Sequence, residues 1–308
     1  FDGTDYRTNV TLQHAQGQIF TRARLNTETE RYDVEVNVNK FPLHHFLKEQ
    51  PVTPFTGSFG IHGQGFSPLA VRTNLQASAN IRSLRYDRYP LDGIQFKAAL
   101  RGTHALVSFS AKNPLIEGRG SIDAHLNHRY MAAVDVQLDK LDLRRLTGMP
   151  DTLTFGGSFK GNFEASTDMK RMKVKGAMRQ LRLIAPERAI LARDIDFAFH
   201  TKPDSTTLQA FSGDMLLDFA ARGGLEQIGK KGGELAQIVQ KQLKHRSIDQ
   251  IYLRKRLPNM ALHIVGGNNN IVSNLLRYLH YEVSTFKLHL DANAHEGING
   301  HMAVGALK

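Results

Sequence analysis

Apolar and polar residues alternate along most of this sequence, and this alternation constrains the fold more than any other feature. Such a pattern places apolar side chains on one face of a strand and polar ones on the other. Gly, Asn and Asp residues separate the runs and are typical of turns. About a dozen short strands fit before residue 222. The sequence therefore predicts a mainly β fold.

Two segments about 100 residues apart also resemble each other. Residues 40–46 (KFPLHHF) match residues 140–146 (KLDLRRL), residues 55–59 (FTGSF) match residues 155–159 (FGGSF), and residues 81–85 (IRSLR) match residues 178–182 (MRQLR) with a small shift. One unit comprises a strand, a short Leu-rich turn of helix, the Phe-x-Gly-Ser-Phe strand and further strands. Units that stack on their neighbours form an elongated body, so we expect a β-repeat protein.

The pattern changes between Arg222 and Tyr281. Apolar residues spaced by three and four positions predict an amphipathic helix; they are Leu225, Ile228, Leu235, Ile238, Val239 and Leu243. A second helix is predicted over about 247–257 and a third after the Asn run at 268–270. We therefore divide the chain into a β-repeat segment (1–221, about two repeats and a partial unit), a helical insertion (222–282) and returning strands (283–308).

The motifs that accompany catalysis are absent from the sequence. It contains no Cys, which excludes disulfides and thiolate metal sites. Its 14 His residues form no His-Glu-x-x-His motif, and His125 and His128 flank a predicted turn, where we interpret them as surface residues. No phosphate-binding loop or nucleophile elbow is found. We expect no metal, no cofactor and no enzymatic activity.

Positive charge is concentrated in the predicted insertion. The chain carries a net charge of +11, and residues 222–256 hold nine basic and three acidic residues. A basic amphipathic helix can bind anionic lipid headgroups, whereas a solvated helix face that caps the β segment is the simpler alternative. Nucleic acid is not expected as a partner because no aromatic platform accompanies the charge. The candidates for a membrane-facing or partner-facing surface are Lys230, Lys231, Lys241, Lys244, Arg246, Arg254, Lys255 and Arg256.

The repeated motif resembles that of the TamB and AsmA-like family. The resemblance rests on residues 41–47 followed by 55–63, and on residues 141–146 followed by 155–161. Residues 246–260 are also similar to the helical insertion of Bacteroidetes versions of TamB. Phe stands where the family usually has Leu before the Gly-Ser step, a change that keeps an apolar residue at that position. The resemblance covers most of the chain.

The resemblance implies a long, curled β-sheet with a hydrophobic groove, a β-taco solenoid, in the periplasm of a Gram-negative cell. Family members are anchored in the inner membrane and are linked to phospholipid transport between membranes. The alternative is a chaperone-like scaffold that assembles outer-membrane β-barrel proteins with a BamA-superfamily partner. Because the chain begins at Phe1 without Met, we expect a piece of a longer protein. We also expect this piece to be monomeric.

On this interpretation, alternating apolar residues line a groove for phospholipid acyl chains, each buried CH₂ contributing about 0.8 kcal/mol. Ordinary sheet core is the alternative for each residue. The sequence also leaves open whether the groove is free or filled by Leu235, Ile238, Val239 and Leu243. The groove candidates are Val34, Val36, Val38, Phe59, Ile94, Phe96, Val134, Val136, Phe159, Ile195, Phe197, Leu217 and Phe219.

Overall fold

The computed structural model describes residues 3–47, 50–67, 69–147, 153–185, 189–244, 249–278 and 280–307. Most of these residues lie in strands, which confirms the predicted mainly β fold. Eighteen strands form one antiparallel sheet that is not closed on itself, and β6 and β7 form a separate two-stranded ribbon. The predicted curl of the sheet into a groove-forming solenoid stays a prediction.

The strands of the first part of the chain are β1 (Asp5–His14), β2 (Gly17–Asn26), β3 (Arg31–Phe41), β4 (Phe55–Gln64), β5 (Asn74–Ser83), β6 (Arg85–Tyr86), β7 (Tyr89–Pro90), β8 (Ile94–Arg101), β9 (His104–Lys112) and β10 (Ile116–Leu126). Those of the second part are β11 (Arg129–Asp142), β12 (Thr154–Ser166), β13 (Met172–Ile184), β14 (Ala189–Leu191), β15 (Ile195–Lys202), β16 (Ser205–Ser212), β17 (Met215–Arg222), β18 (Met260–Gly266), β19 (Val283–Asn293) and β20 (Gly297–Leu307). The helices are a 3₁₀ helix (Leu43–His45), α1 (Leu143–Thr147), α2 (Leu225–Lys244), α3 (Gln250–Arg254) and α4 (Ile271–Tyr278).

The chain divides into two compact units. The first contains Phe1–Asn127, Met131–Ser158 and Leu183–Ala189; the second contains His128–Tyr130, Phe159–Arg182 and Ile190–Lys308. In the first unit, β1, β2, β3, β4, β5, β8, β9 and β10 pair in that order, each antiparallel to the next. In the second unit, β13, β15, β16, β17, β18, β19 and β20 do the same.

The order of elements reproduces the repeat found in the sequence. In the first repeat, β3 leads through the 3₁₀ helix to β4 and β5, and then to β8, β9 and β10. In the second, β11 leads through α1 to β12 and β13, and then to β15, β16 and β17. The short strands β6 and β7 of the first repeat correspond in position to β14 of the second. Each Leu-rich turn therefore precedes the same series of strands.

The structure differs from the prediction within residues 222–282. Helices α2, α3 and α4 lie in this range, but so does strand β18, which pairs with β17 on one side and β19 on the other. A short apolar run between two helical patterns does not by itself distinguish strand from helix, and pairing with two neighbours decides this one. The helices are thus two separate additions around a strand of the sheet.

A buried polar network fixes the start of α4. Asn270 is 0% exposed, and its side-chain oxygen accepts a hydrogen bond from the backbone N–H of Ser273, as expected of an N-cap. Its Nδ2 donates to Asp214 Oδ1 at 2.7 Å and to the Gly267 carbonyl at 2.9 Å. Ser212 Oγ also accepts from the backbone N–H of Ile271. The Asn270 side chain therefore ties α4 to the turn between β16 and β17.

Candidate apolar binding surface

The alternating residues of the first unit form one apolar face that crosses neighbouring strands in register. Because each strand presents every second side chain to this face, directly paired residues lie side by side. The central row of the face runs from β3 to β10 and contains Val36, Phe59, Ala79, Phe96, Phe109 and Gly120. A row of large side chains with one Ala between two Phe residues has an uneven surface.

This unevenness produces a shallow hollow in the apolar face. Phe59 and Phe96 flank Ala79, and both remain unusually exposed for phenylalanine, at 42% and 44%. The hollow has a volume of about 300 Å³, at the lower end of the range for small-molecule sites. Its lining residues are Val34, Val36, Phe59, Gly60, Ile61, Ala77, Ser78, Ala79, Phe96 and Ala98. The surface available there is almost entirely apolar.

The second unit carries a corresponding apolar face, but the equivalent hollow is filled. Phe197 pairs with Gly176, and the rings of Phe159 and Phe197 stack with centroids 6.2 Å apart and an interplanar angle of 13°. A Cβ at position 176 would lie 2.8 Å from Phe159 Cε2 and 2.7 Å from Phe197 Cζ. The two rings thus occupy the space that a side chain at Gly176 would take.

The structure distributes the groove candidates over both units. In the first unit, Val34, Val36, Phe59 and Phe96 line the hollow, while Val38 is buried beside Phe41 and Phe55 in a hydrophobic cluster. Ile94 pairs with Ile81 at the end of the same face. The remaining candidates are half-buried; they are Val134 and Val136 on β11, Phe159 on β12, Ile195 and Phe197 on β15, and Leu217 and Phe219 on β17. Register confirms that Phe197 and Leu217 face the same side through Ala210.

The sequence did not single out Ala79 and Gly176, although these small residues decide the difference between the two faces. They occupy corresponding places, because Ile81 and Met178 follow two positions later in the matched segments. Ile61 likewise corresponds to Gly161, where a Cβ would lie 2.6 Å from Phe159 Cζ. A small residue in one repeat at a position where the other repeat has a larger one is the signal that could have identified these positions.

The basic candidates lie on the helices of the second unit. Lys230, Lys231, Lys241 and Lys244 are exposed on α2, and Arg254, Lys255 and Arg256 are exposed on or directly after α3. Arg256 is not wholly free to meet a partner, because its guanidinium lies 3.6 Å from the Tyr252 ring centroid. Arg246 lies outside the described residues. Their role at a membrane or partner stays a prediction.

Among the described residues, α2 contacts α3, and the backbone N–H of Leu225 at its start donates to Thr201 Oγ1. Leu235, Ile238 and Val239 on this helix are half-buried. The side chain of Leu243 is not among those that the structure describes. Gly229, Gly232 and Gly233 face open space, since a Cβ there would meet nothing within 4 Å. The contacts of α2 therefore give no support to the idea that this helix fills an apolar groove.

The opposite, polar face of each unit carries titratable groups. In the second unit, burial together with the cations of Lys202 and Lys173 lowers the pKa of His200 below its ordinary value. Asp214, in the network at α4, has a lowered pKa because hydrogen bonds from Asn270 and from backbone N–H groups outweigh the opposing effect of burial. In the first unit, His104, Asp123 and His125 form the one group of potential metal ligands found among the described residues.

Comparison with known protein families, curated proteins and solved structures gives no match. Among the described residues, no helix combines the length and hydropathy needed to cross a membrane.

Proposed function

We propose that the first unit binds an apolar chain, such as a phospholipid acyl chain, in the hollow between Phe59 and Phe96. The observation that carries this proposal is the exposure of both phenylalanines on a face that is apolar across several strands. Exposed apolar surface of this kind is typical of binding sites, because covering it removes it from water. Each CH₂ buried in the hollow contributes about 0.8 kcal/mol.

The resemblance to the TamB and AsmA-like family supports the choice of lipid over other apolar ligands. On this proposal the chain is a non-enzymatic segment of a periplasmic, inner-membrane-anchored protein that moves phospholipid toward the outer membrane. On the same proposal, the longer protein acts together with an outer-membrane partner of the BamA superfamily. The chaperone-like scaffold is the alternative, in which the same apolar face receives strands of an outer-membrane protein.

Photo-crosslinking tests the proposal. With p-benzoylphenylalanine at position 96, we expect crosslinks to phospholipid, and with the same group at position 197 we expect few, because the Phe197 ring is stacked on Phe159. Phe59→Asp should reduce the yield from position 96, since it places a charge in the hollow. Phe211→Asp is the matched control: Phe211 is 50% exposed, but alternation along β16 places it on the other face from Ala210.

Three results would count against lipid binding. Equal yields from positions 96 and 197 would show that the hollow has no special role. An unchanged yield in Phe59→Asp would show that the lipid lies elsewhere. Crosslinks to an outer-membrane protein without any to phospholipid would favour the scaffold.

A further inference from the structure

The hairpin formed by β9 and β10 brings His104 next to Asp123 and His125, which follow it by about 20 positions in the sequence. His104 and His125 are directly paired residues of the two strands, so they lie side by side. Asp123 precedes His125 by two positions and therefore shares its face, which is the polar one opposite the hollow. The sequence shows only the local pair His125 and His128, because the partner of His125 in the hairpin is 21 residues away.

The ligand atoms of these three side chains all lie within 4.8 Å of one another. Asp123 Oδ1 is 2.7 Å from His104 Nε2 and 3.9 Å from His125 Nδ1. Two ligands bound tetrahedrally to one zinc ion at its usual bond lengths of about 2.0–2.2 Å are about 3.3–3.5 Å apart. The observed separations bracket this value, so small movements of the side chains would complete the geometry.

The side chains have room for those movements. The two imidazole rings are stacked, with centroids 4.4 Å apart and an interplanar angle of 16°, whereas a shared ion must lie in the plane of each ring. Binding of a shared ion therefore requires one of the two rings, such as that of His125, to rotate about its Cβ–Cγ bond. The His125 side chain is 49% exposed and that of His104 is 39% exposed, so both rings are partly open to solvent.

We propose that His104, Asp123 and His125 bind one divalent transition-metal ion, with zinc as the expected physiological class. Two imidazoles and one carboxylate suit zinc, nickel and copper, whereas calcium and magnesium prefer oxygen ligands. Three protein ligands leave at least one coordination position for water or for a ligand of another molecule. A bound ion would also join β9 to β10, because His104 belongs to one strand and the other two ligands belong to the next.

Isothermal titration calorimetry of the full chain with ZnCl₂ tests this site. We expect one saturable site per chain. His104→Ala, His125→Ala and Asp123→Asn should each weaken it by about tenfold or more, since each removes one of three ligands. CaCl₂ at the same concentrations should give no saturable binding. Arg101→Gln should tighten zinc binding. Arg101 on β8 is paired with His104 on β9, so its positive charge opposes the binding of a cation beside it.

A second group of histidines requires a control. His14 Nε2 lies 2.9 Å from His45 Nδ1, and the rings of His44 and His45 are in contact, with centroids 4.2 Å apart. His45→Ala disrupts this group and should leave the affinity of the proposed site unchanged. In the second unit, His263 is paired with His289, whose Nε2 lies 2.7 Å from Asp291 Oδ2, so His263→Ala disrupts a third group of histidines and should also have no effect.

Thermal unfolding with and without zinc distinguishes a variant that has lost the metal site from a variant that does not fold. Zinc should raise the unfolding temperature of the wild type and of His45→Ala, because a ligand that binds only the folded state stabilises it. His104→Ala should unfold normally but show a smaller zinc-dependent increase at the same zinc concentration. The proposal is wrong if the wild type shows no saturable zinc binding, or if His45→Ala abolishes binding that His104→Ala leaves intact.

Discussion

The two repeats use the same series of strands but finish their apolar faces differently. In the first, Ala79 separates Phe59 from Phe96, and a hollow of about 300 Å³ remains between the rings. In the second, Gly176 lies beneath the stacked rings of Phe159 and Phe197. One methyl group thus accompanies the difference between an open apolar face and a closed one. A repeated unit can therefore retain its series of strands while only one of the two repeats keeps space for a ligand.

The repeats also differ in how the last hairpin is closed. In the first, Asn113 Oδ1 accepts hydrogen bonds from the backbone N–H groups of Leu115 and Ile116 inside the same loop. In the second, Asn270 reaches the β16–β17 turn from a segment more than 50 residues later in the chain. Asn113 Nδ2 also donates to the Asp92 carbonyl at 2.8 Å, so the first closure reaches 21 residues back along the chain, whereas the second spans more than 50 residues.

The largest effect is expected from Asn270→Ala. This change removes the cap of α4 and the hydrogen bonds that the buried Asn270 side chain donates to Asp214 and to the Gly267 carbonyl, so the free energy of unfolding should fall by about 2–4 kcal/mol. Asn113→Ala, the matched change in the first repeat, should cost about 1 kcal/mol. Urea unfolding measures both values. An equal or larger cost for Asn113→Ala would show that the fully buried Asn270 side chain does not contribute more than the half-buried Asn113 side chain.

The next effect is expected from Gly176→Ala. The added methyl meets both phenylalanine rings, so they must separate, at a cost of about 1–3 kcal/mol in the free energy of unfolding. Gly229→Ala on α2 is the control, because its new methyl enters open space and should stabilise the helix by about 1 kcal/mol. Urea unfolding measures both variants. If the two changes had the same sign, ring packing over Gly176 would not be the cause.

Ala79→Gly makes the reverse change in the first repeat. Glycine within a strand costs about 0.5–1 kcal/mol of stability, and removal of the methyl should let Phe59 and Phe96 move closer. Binding of a fluorescent acyl-chain probe should weaken by about fourfold, which corresponds to about 0.8 kcal/mol or one buried CH₂ group. Ala133→Gly on β11, an exposed strand position, controls for the added glycine. Unchanged probe affinity in Ala79→Gly would show that the probe does not bind in the hollow.

The smallest effect is expected in acid and only in the second repeat. The pKa of Asp214 is lowered in the folded protein from an ordinary value of 3.8. The folded state therefore binds fewer protons than the unfolded state between these two values, and stability falls as the pH is lowered through that range. Urea unfolding as a function of pH should show the advantage of the wild type over Asp214→Asn decreasing below pH 3.8. A stability advantage of the wild type that increases in acid would contradict a lowered pKa of Asp214 in the folded protein.

Alternation along the chain was sufficient to predict many of the long strands and their faces. Val34 and Val36 share a face with Phe59 because side chains alternate at every residue, and this can be seen in the sequence. The predicted helices at α2 and α4 are also confirmed, since their apolar residues recur at three and four positions. These features depend only on residues that are close in the chain.

Pairing between distant strands could not be predicted in the same way. His104 meets His125 only because β9 and β10 pair in one particular register, and a shift by one residue would turn the histidines to opposite faces. Strand β18 was missed because its pairing with β17 and β19 defines it. The Asn run at 268–270 was predicted to precede a helix, but the burial of Asn270 depends on Asp214, which lies in another hairpin.

Helix α2 also determines how the chain would respond to a protease. Gly229, Gly232 and Gly233 each disfavour helix by about 1 kcal/mol and have open space around them, so this segment is the place where we expect the first cut. Such a cut would not release the C-terminal piece, because residues 260–265 of β18 pair with residues 216–221 of β17. The chain could accordingly be expressed as two polypeptides divided within α2, which would recognise each other by completing a shared sheet.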